Sequence, residues 1–405
     1  MMMETMLRNY HQEHLMEYYR QLDKHGKEKL ERQVLAFDWS LLKSLEEQPK
    51  DHSRDRFAPI SVLTAEEIGK NGHTYEIMGI DAIKLGKFGA VLLAGGQGSR
   101  LGFNGPKGTL NIGKTKDVFV FELLLKELTR VAEEAGAYIH LYVMTSDSNY
   151  DQTVAFFREK GCFGYPKDHI HFFVQENLPA VDLSGRLLMS AIDSLALSPN
   201  GNGGWFLSLV KNGLLQHVHE CGIQWLNVFA VDNVLQKIAD PKFIGAVIAA
   251  GADCGAKVIR KTGPEEKVGV LCLEDGRPSI VEYYDLGKDM AELRNDDGEL
   301  TYGHGVTLNY LFRVEALEKV DMRRMPVHLA KKKIPYVTAD GKGMTPQGEN
   351  GYKFEYLVLD LIKLMKDCLP YEVVREKEFA PIKNRTGVDS VETAQALLEK
   401  NGICL

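Results

Sequence analysis

The residues with the clearest capacity for chemistry lie between Val91 and Asn111, which read VLLAGGQGSRLGFNGPKGTLN. An apolar run of strand type ends at Leu93 and Ala94 and empties into Gly95, Gly96, Gln97 and Gly98. Glycine permits a tight turn there and lets backbone N–H groups approach an anion closely. Arg100 and Lys107 add two cations just past the turn. A strand that runs into glycines and fixed positive charge suits phosphate. The spacing fits neither familiar phosphate loop well: G-x-x-x-x-G-K-[ST] is absent, and G-x-G-x-x-G is met only loosely through Gly96, Gly98 and Gly102. Two other readings stay open on the glycines alone, a plain strand-to-helix connection and a nicotinamide dinucleotide site. The second lacks a convincing acidic residue after the next strand.

The elements that would position this loop follow from apolar periodicity. From about residue 87 strands and helices alternate: strand at Phe88–Leu93, helix over Val118–Glu133, strand at Ile139–Thr145, helix over Gln152–Lys160, strand at His169–Gln175, and a further strand at Trp225–Val231. This alternation predicts an α/β core, a mixed and mostly parallel sheet with helices on its faces. Ligands of such sheets bind beyond the carboxyl ends of the strands, where the glycine loop, Thr145-Ser146-Asp147, Gln175 and Asp232-Asn233 all fall. Hairpin character follows at Val268–Leu273, a turn at Asp275-Gly276, and Ser279–Tyr284. The predicted organisation is a helical N-terminal region over 1–86, a catalytic domain over 87–364, and a small C-terminal α+β region over 365–405 ending in a helix from Ser390 to Lys400. No internal repeat or hexapeptide pattern follows.

Composition narrows the function classes. The 405 residues are 44% hydrophobic and 26% charged, with net charge −7, which argues against a general nucleic-acid or anionic-membrane binder. The six cysteines form no C-x-x-C pair, so reduced thiols in the cytoplasm are the economical expectation. No secretory leader and no bilayer-length apolar run is read from the sequence. Lys331-Lys332-Lys333 reads as a solvated face, and His217 with His219, lacking a third ligand nearby in sequence, as a helix surface. Monomer and homodimer are equally open.

The full loop, Gly95-Gly96-Gln97-Gly98-Ser99-Arg100-Leu101-Gly102 followed by Pro106-Lys107-Gly108, resembles the signature of the UDP-sugar pyrophosphorylases, which make UDP-sugars from UTP and a sugar 1-phosphate. Further ordered segments resemble the same family: Phe172-Phe173-Val174-Gln175 with Leu178-Pro179-Ala180, Gly201-Asn202-Gly203-Gly204, Val231-Asp232-Asn233, Val281-Glu282-Tyr283, and Pro381-Ile382-Lys383-Asn384. Gln12-Glu13-His14-Leu15 and Phe37-Asp38 are similar to its N-terminal region. Gly251 to Lys257 and Val268-Gly269-Val270 resemble the eukaryotic UDP-N-acetylhexosamine branch nearly word for word.

The resemblance implies a Rossmann-like, GT-A-like nucleotidyltransferase core and a Mg2+ ion. It implies Arg100, Lys107 and Lys383 as catalytic cations and Asp232 as metal ligand. Leu93, Ala94, Gly95, Gly96, Gly98, Gln175, Gly201 and Asn202 would bind nucleotide, with Gln175 on uracil. Gly269, Glu282, Val306, Leu357 and Leu359 would line the sugar. The departures fall among these last. Val306 stands where the branch has an asparagine, with Asn309 three residues on, and Leu357 and Leu359 stand where it has two phenylalanines. N-acetylglucosamine 1-phosphate is the expected substrate, with glucose, galactose or a broad range of hexose 1-phosphates as the alternative. A non-catalytic UDP-sugar sensor is a second class of reading.

Overall fold

The computed structural model describes residues 2–45 and 56–405, so the part of the expected helical region at 46–55 lies outside the described residues. Two compact units emerge, and they do not follow chain order. One gathers residues 1–51, 176–204 and 325–358; the other gathers 52–175, 205–324 and 359–405.

The larger unit is built on a ten-stranded mixed sheet. Its principal strands are β1 (Phe88–Leu93), β2 (His140–Thr145), β3 (Ile170–Val174), β4 (Trp225–Ala230), β5 (Cys254–Arg260), β6 (Val270–Glu274), β7 (Arg277–Val281), β8 (His304–Arg313) and β9 (Cys368–Glu372). Strands β4, β1, β2 and β3 lie side by side and parallel, in that order. The run Phe88–Leu93 is buried on both faces, the pattern of a strand covered by helices on each side. Beyond β4 the pairing turns antiparallel through β8, which also pairs with β5 and β6. The β6–β7 hairpin closes where expected: Asp275 and Gly276 have φ of 50° and 76°, the two positive values that a type I′ turn needs.

Helices α1 (Ala65–Lys84), α2 (Val120–Ala135), α3 (Tyr150–Glu159), α4 (Leu214–Glu220), α5 (Pro241–Ala250) and α6 (Val391–Lys400) surround this sheet. Helix α1 opens on a capping box: the Glu67 carboxylate accepts from the Thr64 N–H at 2.9 Å, and Thr64 Oγ1 accepts from the Glu67 N–H at 3.3 Å. Helix α2 starts two residues later than its apolar pattern suggests, because the Glu122 carboxylate reaches back to the Phe119 N–H. Helices α1 and α5 meet backbone to backbone. A Cβ at Gly79 would collide with the Pro241 carbonyl, and one at Gly245 with the Tyr75 carbonyl. Strand β7 ends at Val281, earlier than expected, since Glu282 begins a turn whose carbonyl accepts from the Asp285 N–H at 2.9 Å.

In the smaller unit the helix Lys24–Ala36 and a 3-10 turn, Trp39–Leu45, pack Leu30, Val34, Phe37 and Trp39 against Phe354 and Val181 of a three-stranded antiparallel sheet. Asp38 caps the 3-10 turn through the Ser40 N–H at 3.0 Å. Among the described residues no helix is long and apolar enough to cross a membrane, and all six cysteines are free thiols.

Candidate active site

The glycine loop leaves β1 at the carboxyl end of the parallel strands and is held there by its own backbone. The Ala94 N–H donates to the Met144 carbonyl at 2.8 Å, and the Ala94 carbonyl accepts from Asn149 Nδ2 at 3.0 Å. The Leu93 carbonyl accepts from the Val231 N–H at 3.3 Å. Leu93 and Ala94 therefore use these groups to fix the loop to neighbouring strands. The Gly98 N–H donates to the Gly105 carbonyl at 2.9 Å, so Gly98 shapes the loop and its own amide is engaged. A Cβ at Gly98 would also strike the Phe103 ring. At Gly95 a Cβ would lie 2.9 Å from Gln175 Oε1, so a side chain there is excluded by the residue expected to read the base.

The expected cations converge. Lys107 Nζ stands 3.5 Å from Asp232 Oδ2, with Lys107 mostly buried and Asp232 partly exposed. Burial is the largest influence on Lys107 and pulls its ammonium below the usual lysine range; Asp232 opposes that, while Lys383 and Arg100 push the same way as burial. Arg100 and Lys383 are thus near enough to Lys107 to act on its charge. The segments carrying Asp232 and Lys383 are stitched together by a bridge between Asn233 and Pro381 and by the Ile382 N–H, which donates to the Asp232 carbonyl at 2.9 Å.

Three supports of this arrangement have roles that sequence reasoning does not assign: Asp389 is not singled out, and Asn233 and Lys257 appear only as members of motifs. Asp389 faces Lys383 at 3.9 Å, and its carbonyl accepts from the N–H groups of Lys383 and Asn384. Burial pushes the Asp389 carboxyl above the usual aspartate range, against the pull of Lys383. Asn233 is buried and ties the loop to both sides, donating to the Glu378 carbonyl at 2.7 Å and accepting from the Ala380 N–H at 2.9 Å. Beneath them Lys257 is buried between Glu378 at 2.6 Å and Asp240 at 2.9 Å. Burial alone would discharge that lysine, but the two carboxylates hold its ammonium above the ordinary range. Asp240 is held below its usual range because Lys257 outweighs the cost of burial. Lys257 belongs to a segment that resembles the N-acetylhexosamine branch, yet its role is internal: it anchors the chain that presents Asp232 and Lys383.

The expected sugar residues of the larger unit also gather. A Cβ at Gly269 would lie 3.6 Å from the Val306 side chain and 3.7 Å from a Glu282 carboxylate oxygen, and the Gly269 carbonyl accepts from the Val306 N–H at 2.9 Å. Asn309 is not a substitute for the missing asparagine. It is fully buried, its Oδ1 accepts from Asn227 at 2.7 Å, and its Nδ2 points to the Gln236 side chain and the Lys237 carbonyl. Between them Leu308 has φ 55°, a left-handed conformation unusual for leucine, where the β5–β8 register shifts. Leu359, also in this unit, is half-buried.

In the smaller unit, Gly201 and Gly203 press against the backbone of Tyr356 and Leu357 so closely that a Cβ at either would collide. The Gly203 N–H donates to the Tyr356 carbonyl at 2.8 Å, and Asn202 Oδ1 accepts from the Val358 N–H at 3.0 Å. What reads in sequence as a plain loop is thus the clamp that sets Leu357, and the Asn202 oxygen is engaged in it.

Asp232 suits a divalent ion. It is a partly exposed carboxylate paired with Lys107, and Mg2+ characteristically takes one or two carboxylates with substrate oxygens and water completing its shell.

A glycine loop at the carboxyl end of parallel strands, with Lys107 paired to Asp232 and with Arg100 and Lys383 near enough to act on that lysine, fits a nucleotidyltransferase. Comparison with known proteins agrees. The family model described as UTP–glucose-1-phosphate uridylyltransferase matches residues 45–401. Human UDP-N-acetylhexosamine pyrophosphorylase-like protein 1 is 37% identical over 373 residues, covering 87% of this chain and 74% of that protein. UDP-N-acetylglucosamine pyrophosphorylase of Saccharomyces cerevisiae is 37% identical over 347 residues, covering 82% of this chain and 72% of the yeast protein. Among solved structures, a UDP-N-acetylglucosamine pyrophosphorylase from Trypanosoma brucei superposes with TM-score 0.80 at 28% identity, covering 97% of this chain and 82% of the other. One from Entamoeba histolytica gives TM-score 0.77 at 32% identity, covering 85% and 88%. The chain belongs to the UTP–glucose-1-phosphate uridylyltransferase family and is a uridylyltransferase of the UDP-sugar pyrophosphorylase kind.

Proposed function

We propose that this enzyme joins UTP to N-acetylglucosamine 1-phosphate, releasing pyrophosphate, with Arg100, Lys107, Lys383 and Asp232 as its working groups. A sugar-phosphate oxygen attacks the α-phosphorus of UTP in line with the departing pyrophosphate. Both reactants are anions, so alignment and charge compensation carry most of the acceleration. Arg100 and Lys107 hold the triphosphate and stabilise the charge that collects on the leaving pyrophosphate. Lys383 draws in the sugar phosphate, Gln175 orients uracil, and Asp232 would hold Mg2+. That ion would supply further charge neutralisation on the phosphates.

The observation that carries this reading is the shared neighbourhood of Lys107, Arg100, Lys383 and Asp232. The choice of sugar rests on what the relatives' names say of them. One observation favours a second reading, a broader range of hexose 1-phosphates: Val306 is apolar beside Gly269 and Glu282, while Asn309 is locked in the core. Free thiols throughout are consistent with a cytoplasmic enzyme.

The test is pyrophosphate release from UTP and N-acetylglucosamine 1-phosphate with Mg2+. Turnover that stops when Mg2+ is chelated and collapses in Lys383→Ala supports the assignment. Tight UDP-sugar binding with pyrophosphate exchange at background would instead mark a sensor.

A further inference from the structure

Four histidines collect at the amino-terminal ends of β2 and β3, the opposite end of the strands from the glycine loop. His140 opens β2, His171 lies near the start of β3, His217 comes from α4, and His169 immediately precedes β3. The sequence offers His217 and His219 as a pair without a third ligand. The fold splits them: His219 pairs with Glu318 at 2.9 Å, whereas His217 turns toward the sheet and meets His140 and His171. One ring nitrogen from each of His140, His171 and His217 lies within 4.8 Å of the other two.

We propose that His140, His171 and His217 form a binding site for a borderline divalent transition ion such as Zn2+, separate from the catalytic Mg2+ site.

The geometry carries this. Two imidazole nitrogens bound at about 2.0–2.1 Å in a tetrahedral shell stand about 3.3 Å apart. His140 Nδ1 and His171 Nε2 are already 3.0 Å apart, so a small opening of that N–H···N contact and a change of tautomer would receive the ion. The third ring is oriented by a hydroxyl: Tyr142 Oη lies 2.9 Å from His217 Nδ1, the outer-shell partner that metal-bound histidines commonly have. His169 stacks on His140 with centroids 4.5 Å apart, which limits rotation of that ring. All three ligands are only half-buried, which leaves a path for the ion and a fourth position for water. Imidazoles without carboxylates select Zn2+, Ni2+ or Cu2+ over Mg2+. Strand β2 spans five residue steps, about 17 Å at ordinary strand rise, between this cluster and the catalytic loop. The ion would tie β2, β3 and α4 together without meeting substrate.

The experiment uses untagged full-length protein stripped with chelator and titrated with Zn2+ by calorimetry, then with Co2+ by visible absorption. One Zn2+ per chain, a d–d band from Co2+, and a rise in melting temperature with Zn2+ are expected. His171→Gln and His217→Gln should each weaken Zn2+ binding at least about tenfold with unchanged circular dichroism, while His219→Gln binds normally. If His171→Gln fails to fold, His217→Gln on the outer helix and the wild-type Co2+ spectrum still decide. Absence of stoichiometric Zn2+ binding to wild type at about 100 µM, or equal binding by His217→Gln, overturns the proposal.

Discussion

The proposed phosphate side and the proposed sugar side of this enzyme differ in how closely their residue types match the family resemblance. On the phosphate side every expected cation is present and the three share one neighbourhood with Asp232. On the proposed sugar side Gly269 and Glu282 lie together with an apolar Val306, beside a Leu308 in a left-handed conformation. The contrast is physical. Phosphate transfer tolerates little change, since each cation offsets charge that grows in the transition state. Sugar choice depends on a few polar contacts whose exchange alters selectivity and leaves the chemistry intact.

The sharpest way to break this comparison is to remove charge from the phosphate side. Lys107→Ala should cut kcat by about a hundredfold to a thousandfold, with circular dichroism unchanged. An effect below about tenfold would mean that the convergence of cations is incidental.

The support beneath the site comes next. Lys257→Met removes the buried cation between Asp240 and Glu378, leaving only the half-exposed Lys237 at 3.6 Å from Glu378, and should cost about 3–5 kcal/mol in urea unfolding. Asp240 gives this a pH signature. Its folded carboxyl lies below the ordinary 3.8, so its contribution is present above that value and is lost as pH falls through the lower folded one. Wild type should therefore lose stability in that acid window, and the variant should lose less.

On the sugar side Val306→Asn should raise the preference for N-acetylglucosamine 1-phosphate over glucose 1-phosphate by about tenfold, leaving KM for UTP unchanged. A shift in KM for UTP instead would dissolve the division into two halves.

The smallest expected effect is alkaline. Lys107 is held below the usual 10.5, chiefly by burial, so UTP binding to the free enzyme should weaken as pH rises through that lowered value. Lys107→Arg, which stays charged, should move this limb upward in KM-against-pH profiles.

Much of the phosphate side is legible in sequence because its signals are local. Glycines follow an apolar strand, cations follow the glycines, and β1 falls on the residues its pattern marks. The β6–β7 turn is equally local, with Asp275-Gly276 sufficient to predict it. What escapes is nonlocal. Asp389 bears on Lys383 only because its carbonyl bends the chain back onto that segment. Asn309 looks like a spare recognition residue until the strands pair and Asn227 takes its oxygen. Gly201 and Gly203 read as loop glycines because the backbone they must approach, at Tyr356 and Leu357, is more than a hundred residues away. His217 appears as surface until β2 and β3 bring two more imidazoles to it. Strand β8 is also hard to see, since Gly303, Gly305 and buried Asn309 interrupt its apolar run.

The central proposal is that this site selects its nucleotide more strictly than its sugar. Its most direct test is pyrophosphate release with UTP, ATP, TTP and GTP against a panel of hexose 1-phosphates. The account predicts turnover with N-acetylglucosamine 1-phosphate, a strong preference for UTP, and a weaker preference among the sugars. No release with any sugar, or strict N-acetyl selectivity combined with indifference to the base, would contradict it.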